Sequence, residues 1–433
     1  MSRIQAFFLF IQFLDCKKIE YCILGNSKDY SSSIESDIDI VISKKTFNKV
    51  EAPVLEYCLI HNFKLIQIKR HESSACSYVL QIDKNTFLQL DFCHDYIRSQ
   101  RLYFKASQLL NNKILSLCDP SFYILANHYE FAYYFIKKID KNQINTVQFD
   151  HLLSCWNIDK VQILLLLKAY FSSEFLQTID EIFKDRDFNH LTVKMGHLRK
   201  DLFSKKRIKL KHRILEVSRL MGKAINPPGL IIGILGCDGS GKSTLVRELK
   251  NQFQCCFQNY TSYHLYPGII FKQKVVGALN DPHFKEKRGK FLSFLKLLLF
   301  IPEYFIGYWY RIFPKIMRVE LVIFDRYFID VQADPLRYRN GLSVKTSGII
   351  NKFIPQPHLW FLLDLDPEIL LKRKAEISFN MAVQLRANYL KIASTLPNCY
   401  VLNAENSVSE IVSDASGFVV NYLQKRIPNQ PSK

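Results

Sequence analysis

The 433-residue sequence predicts an α/β protein. An open parallel sheet with helices on both faces forms its C-terminal part. An α+β domain and a helical middle region precede it. Three observations predict this. After residue 226, short apolar runs alternate with helix-forming stretches, the pattern of successive β-α-β units. Before residue 100, short apolar runs alternate with turns instead. Between them, Leu, Ile, Phe and Lys recur at helical spacing.

The elements follow in order. MSRIQAFFLFIQFLDCKK resembles a secretory leader in its apolar run. Gln12 interrupts the run and no small-residue cleavage site follows, so a short amphipathic helix is expected. IEYCILG, SDIDIVIS, FKLIQIKR, SYVLQID and TFLQLDFC each read as a strand. Residues 101–225, including PSFYILANHYEFAYYFIKKI and VQILLLLKAYF, read as helices. Asn226-Pro227-Pro228-Gly229 breaks the chain and marks a domain boundary. IIGILG, YTSYHLY, LVIFDRY, LWFLLDLD and NCYVLNAE then read as strands between helices. The expected division is 1–100, 101–225 and 226–425, with a disordered tail at 426–433.

Composition narrows the function without choosing it. The length allows two or three domains, each able to bury a core. Eleven cysteines form no C-x-x-C pair and their number is odd. Free thiols in a reducing, cytoplasmic setting are expected. A formal charge of +19 suits nucleic acid, phosphorylated substrates or anionic lipid. The basic run from Lys205 to Arg213 is expected to be a solvated face.

The chemistry lies first in residues 231–245, IIGILGCDGSGKSTL. Gly236, Cys237, Asp238, Gly239, Ser240, Gly241, Lys242, Ser243 and Thr244 sit between an apolar run and a helix-forming stretch. Gly236, Gly241, Lys242 and Ser243 fit the phosphate-loop spacing G-x-x-x-x-G-K-[ST]. Glycines let successive amides curl around a triphosphate, and the following helix aims its positive end at the same anion. Lys242 reaches the phosphates and the Ser243 hydroxyl suits Mg²⁺. ATP and Mg²⁺ are the implied cofactors. LVIFDRY delivers Asp325 to the end of a strand, where it can hold water on Mg²⁺, and Arg326 can meet a phosphate.

These residues resemble the thymidylate kinases over roughly residues 229–425. G-C-D-G-S-G-K-S-T-L, D-R-Y and L-D-L-D-P-E-I-L-L-K-R-K are similar to that family's phosphate loop, D-R-Y motif and lid approach. The resemblance implies that Asp238 touches the acceptor nucleotide and Arg326 its phosphate. It also implies that basic lid residues, Lys372, Arg373 or Lys374, cover the moving phosphoryl group, since the loop itself carries no arginine. Two features depart from the family. His264-Leu265-Tyr266-Pro267-Gly268 keeps only the proline and glycine of R-E-P-G. The stretch from Phe300 to Arg311 lacks the clamping arginine at its usual offset. The donor site is kept and the acceptor site altered. Asp330, Asp334, Arg337 and Arg339 cluster where an acceptor or lid could engage, or pair structurally.

A second constellation lies near the N-terminus. Ile23-Leu24-Gly25-Asn26-Ser27 precedes Ser36-Asp37-Ile38-Asp39, and Asp91 follows on a later strand. Aspartates two apart on a strand share a face, which suits divalent metal. Residues 18–100 thus resemble a minimal nucleotidyltransferase. That resemblance implies that Asp37, Asp39 and Asp91 hold Mg²⁺ and that the Gly25–Ser27 turn holds a triphosphate. Lys285 to Phe313 joins a basic KEKRGK to a long apolar, aromatic run. Lys296, Pro302 and Glu303 interrupt it, so a buried helix pair is expected rather than a membrane span. An interfacial membrane contact, or a groove for a lipid-linked acceptor, is the other reading.

The sequence therefore predicts a two-enzyme fusion: a P-loop NTPase sheet of thymidylate kinase type after a nucleotidyltransferase-like domain and a helical middle. ATP and a small-molecule or lipid-linked acceptor are its expected partners, thymidylate being the family default. Peripheral contact with an anionic membrane is a further expectation, and nucleic acid is not. Two alternatives stand beside this reading. In one, metal-dependent nucleotidyl transfer is the main activity. In the other, the chain is a non-catalytic binder of anionic membrane or nucleic acid.

Overall fold

The computed structural model describes residues 1–25, 34, 37–271, 289–374 and 377–427. Two compact units account for the chain, one covering Met1–Gly222 and the other starting at Lys223.

The first unit contains strands β1 Tyr21–Leu24, β2 Ile38–Ile42, β3 Lys64–Glu72, β4 Ala75–Asp83, β5 Thr86–Cys93, β6 Tyr96–Arg98, β7 Arg101–Phe104, β8 Lys113–Leu115 and β9 Tyr123–Leu125. Seven of them form a mixed sheet in the order β3-β4-β5-β2-β1-β9-β8, and β6 and β7 form a separate hairpin. Strand β1 is antiparallel to β2, with Leu24 opposite Asp39. Strand β2 is parallel to β5, with Asp39 opposite Asp91. This register brings the glycine turn and both aspartates onto three adjacent strands.

The N-terminal run forms the helix Arg3–Cys16, capped by Ser2 and burying Phe7, Phe10, Ile11 and Leu14. The helical region differs from expectation. Its long helices begin at Asn127, not near residue 101: Asn127–Lys141, Thr146–Leu167, Ser173–Lys184, Phe188–Lys205 and Leu210–Ile225. Residues 101–125 supply three short strands and one short helix, Ala106–Leu110. Asp119-Pro120 denies a helix its preceding turn, and β9 pairs with the free edge of β1. Sheet residues Cys22, Leu24 and Val41 share one core with helix residues Phe131, Leu152 and Trp156. Sheet and helices are therefore one unit, not two.

The second unit is a parallel sheet of β10 Leu230–Leu235, β11 Asn259–His264, β12 Glu320–Asp325, β13 Leu359–Asp364 and β14 Cys399–Asn403. Its order is β11-β12-β10-β13-β14. Strand β10 is buried along its whole length, as a central strand covered on both faces requires. The chain leaves β10 for one side of the sheet and later returns to the other. Such a switch point opens a crevice at the strand ends, and the phosphate loop follows β10 there.

The aromatic run forms helix Lys290–Gly307, a π-turn Tyr308–Ile312 and helix Phe313–Met317. Leu297, Phe300 and Tyr304 face the core, while Phe291, Leu295, Phe305 and Trp309 stay exposed. Among the described residues, one face therefore remains uncovered, unlike the expected buried pair. Among the described residues, Lys290–Met317 is the one stretch long and apolar enough to cross a membrane. Its buried face, Pro302 and π-turn all fit a packed helix better than a span. Glu303, wholly buried, accepts the amides of Gly268, Ile269, Ile270 and Phe271 at 2.6, 2.8, 2.5 and 3.0 Å. Residues 285–288 of the basic run, and 428–433 of the expected tail, lie outside the described residues.

Candidate functional site

The loop after β10 is shaped by its glycines. Gly236 has φ +139°, and a side chain there would meet the Leu363 carbonyl of β13 at 2.8 Å. Gly241 is the N-cap of the helix Lys242–Gln252 at φ +96°, a left-handed conformation that favours glycine. Ser243 is exposed and Thr244 half-buried in the first turn of that helix. Lys242 is buried, and its ammonium donates to the carbonyls of Gly236 at 3.0 Å and Cys237 at 2.7 Å. Burial, then the Arg326 cation, pushes its pKa down to about 8, against Asp238, Asp325 and Asp330.

Strand β12 lies beside β10, pairing Asp325 with Ile234. Asp325 thus ends its strand next to the loop. Among the described residues, its Oδ1 is buried without a hydrogen-bond partner, and so is Ser240 Oγ. Buried polar atoms rarely lack partners. Two such oxygens beside a glycine-rich loop and a buried ammonium fit a polyphosphate with a hard, oxygen-seeking cation.

Arg326 has a left-handed backbone, φ +72°, and its amide donates to the Ile234 carbonyl at 3.0 Å. This pins its side chain inside the site. The guanidinium binds Asp330 Oδ1 at 3.1 Å, the Tyr389 hydroxyl at 3.2 Å and Asp238 Oδ1. Arg337 binds the other oxygen of Asp238, and Lys242 lies 3.6 Å from Oδ1. Burial alone would raise the Asp238 pKa. Arg326, Lys242 and Arg337 outweigh it and hold the carboxyl far below the usual range. Asp334 accepts the Arg337 amide at 3.1 Å.

The lid candidates divide. Arg373 donates to the Ala404 carbonyl at 3.3 Å. Lys374, not Arg373, lines the small cavity formed with Asp238, Arg326, Arg337 and Tyr389.

In the first unit, Asp37, Asp39 and Asp91 each offer an oxygen, all within 4.8 Å of one another. Lys137, from helix Asn127–Lys141, pairs with Asp39. Burial, then Asp37 and Asp39, pushes the Asp91 carboxyl up to about 7. Gln89 donates to Asp91 at 3.0 Å and accepts from Lys69 at 2.7 Å. The Gly25 amide donates to Glu130 at 3.2 Å, and His151 meets the other Glu130 oxygen at 3.0 Å. Asn26 and Ser27, the rest of the expected triphosphate turn, lie outside the described residues.

Comparison with known proteins bears on one of these regions. The family described as thymidylate kinase matches residues 234–415. The C-terminal part of the chain is a thymidylate kinase domain. Probable thymidylate kinase 1 of Saccharolobus solfataricus is 28% identical over 206 residues, 46% of this chain and 98% of that protein. A probable thymidylate kinase of Pyrococcus horikoshii is 29% identical over 213 residues, 45% of this chain and 98% of its own length. The crystal structure of thymidylate kinase from Ehrlichia chaffeensis aligns at 21% identity and TM-score 0.29, over 43% of this chain and 97% of that one.

The thymidylate kinase domain thus contains the loop, Asp325, Arg326 and the three lid candidates Lys372, Arg373 and Lys374. Domains of this type transfer phosphoryl groups from ATP with Mg²⁺. Residues 1–233 lie outside the family match. Sequence reasoning gave no role to Tyr389, which holds Asp330 at 2.8 Å, or to Glu303. A lone Tyr or Glu in a helical stretch carries no spacing signal. Lys137 and Glu130 were equally silent, because their partners lie about a hundred residues away.

Proposed function

We propose that the thymidylate kinase domain transfers the γ-phosphoryl group of ATP to a nucleoside monophosphate, thymidylate being the first candidate. The cluster of Lys242, Arg326, Arg337 and Asp325 around the loop supports this most strongly. The loop amides and Lys242 hold the phosphates. Ser243 and Asp325 hold Mg²⁺, which when bound neutralises phosphate charge. Arg326 orients the acceptor phosphate, and Lys374, with Arg373 behind it, covers the developing charge. Incubating the full chain with ATP, Mg²⁺ and each common nucleoside monophosphate, and following ADP release, tests this. Transfer to thymidylate, lost in Lys242→Ala, is expected. Acceptor-independent release unchanged by that substitution contradicts it.

A second reading rests on the N-terminal trio. We propose that Asp37, Asp39 and Asp91 hold Mg²⁺ for nucleotidyl transfer, making the chain bifunctional. Three carboxylate oxygens within 4.8 Å on adjacent strands support it. Label from α-labelled ATP entering product, and abolished by Asp39→Asn but not Lys242→Ala, is the expected result. No α-label transfer in either protein contradicts it.

The exposed face of Lys290–Met317 supports a peripheral contact with anionic membrane, and with it a lipid-linked acceptor. Salt-sensitive sedimentation with phosphatidylserine vesicles is expected. Failure to sediment contradicts it. All eleven cysteines are free, which supports placement in a reducing, cytoplasmic compartment.

A further inference from the structure

The stretch from Phe300 to Arg311 departs from the family pattern at the clamping arginine, and the site holds a second guanidinium from elsewhere. Arg337 enters it from the segment after helix Asp330–Ala333, eleven residues beyond Arg326. Its backbone amide is fixed to Asp334. Its side chain, largely buried, reaches the oxygen of Asp238 that Arg326 leaves unused. Three cations, Lys242, Arg326 and Arg337, thus converge on Asp238. The remaining acid on Arg326, Asp330, is also held by Tyr389 and by the Tyr327 amide at 2.8 Å. The cavity between Asp238 and Lys374 is lined by both arginines.

A guanidinium fork matches a phosphate as it matches a carboxylate, and a phosphate dianion offers two arginines more oxygens and more charge than one carboxylate does. Asp238 has each oxygen engaged by a guanidinium, and those two contacts compete with a hydroxyl from an acceptor. We propose that Arg337 is the second acceptor-phosphate arginine, replacing the one missing from the clamp helix, and that Asp238 is its resting counter-ion. An incoming phosphomonoester takes over both guanidiniums, and Asp238 is released toward the acceptor's hydroxyl. The acceptor therefore carries a phosphate group already. A neutral alcohol, such as an unphosphorylated sugar, would leave the two arginines on Asp238 and the site closed. This rests on the phosphotransferase reading above but assigns a residue and a substrate chemistry to it.

The test is the affinity of inorganic phosphate for the full chain, with the loop saturated by a non-hydrolysable ATP analogue and Mg²⁺. Inorganic phosphate has no sugar or base, so only the clamp is read. Arg337→Gln is expected to weaken binding at least tenfold. Arg337→Lys, which keeps the charge but not the fork, should fall between it and the parent. Asp238→Asn, which frees both guanidiniums, is expected to tighten binding several-fold. ATP-analogue affinity and thermal midpoint serve as folding controls. Unchanged phosphate affinity in Arg337→Gln, or weaker binding in Asp238→Asn, overturns the proposal. The two claims separate cleanly. If no nucleoside monophosphate is phosphorylated but phosphate affinities shift as stated, the clamp stands and the transfer reading falls. If transfer proceeds and Arg337→Gln leaves the KM for thymidylate unchanged, the reverse holds.

Discussion

The two candidate sites arrange their charges differently. In the first unit, three carboxylates face one ammonium, Lys137. In the second, Lys242, Arg326 and Arg337 surround Asp238. The first trio keeps a carboxylate excess that suits a cation. In the second, Asp330 also pairs with Arg326 and Asp325 ends its strand beside the loop, so the cations are balanced by acids, and an anion enters by taking the place of Asp238. The thymidylate kinase domain adds orphan oxygens, Asp325 Oδ1 and Ser240 Oγ, inside its basic cluster. That juxtaposition suits a metal–polyphosphate complex rather than a bare anion.

Substitutions that change the sign balance should break this contrast most. Asp325→Asn removes the carboxylate that ends β12 beside the loop. Its phosphoryl transfer should drop about 10²-fold, with a higher Mg²⁺ requirement and little change in fold. Kinetics across a Mg²⁺ titration would show it. Unchanged Mg²⁺ dependence would separate Asp325 from the metal.

Glu303→Ala strips the common acceptor from four amides while leaving the charge cluster untouched. It should cost about 3 kcal/mol of stability. Denaturant unfolding of the second unit measures this, and a cost under about 1 kcal/mol would mean the amides find other partners.

Lys242 gives the pH response. Below about 8 it is a cation and ready for phosphate. ATP-analogue affinity should be flat up to that pH and then weaken, approaching tenfold per unit. The same group should make the folded state gain stability between about 8 and its ordinary 10.5, because there the unfolded chain holds the proton and the folded chain does not. Calorimetric titration across the window tests the affinity limb; a flat response would mean Lys242 stays charged throughout.

Lys137→Met should have the smallest effect. Its pair with Asp39 is only partly shielded from solvent, so about 1–2 kcal/mol of the first unit's stability is at stake. Mn²⁺ binding to the trio should tighten as the competing ammonium leaves. Weaker binding would show that Lys137 organises the carboxylates instead of competing for them.

How much of this was legible beforehand depended on where the information sat. The loop and Asp325 could be read because their spacing and apolar flanks are local. Asp37, Asp39 and Asp91 could be grouped because strand alternation is local too, although their register had to come from pairing β2 with β5. Strands β7 to β9 were hidden, since segments of three or four residues carry no period. The exposed stripe of Phe291, Leu295, Phe305 and Trp309 was hidden for another reason. A helix apolar all round does not say which face the core takes. The ion pairs of Asp238 join residues 88 and 99 positions apart. No sequence pattern marks such a contact.

The central claim is that the loop around Lys242 hands the γ-phosphoryl group of ATP to a nucleotide. The most direct measurement gives the full chain γ-labelled ATP, Mg²⁺ and thymidylate, with Lys242→Ala alongside. Label in thymidine diphosphate from the parent, reduced at least ~10³-fold in the variant, is the predicted result. Label transfer that survives in Lys242→Ala, or no label in any nucleotide from the parent, would contradict it.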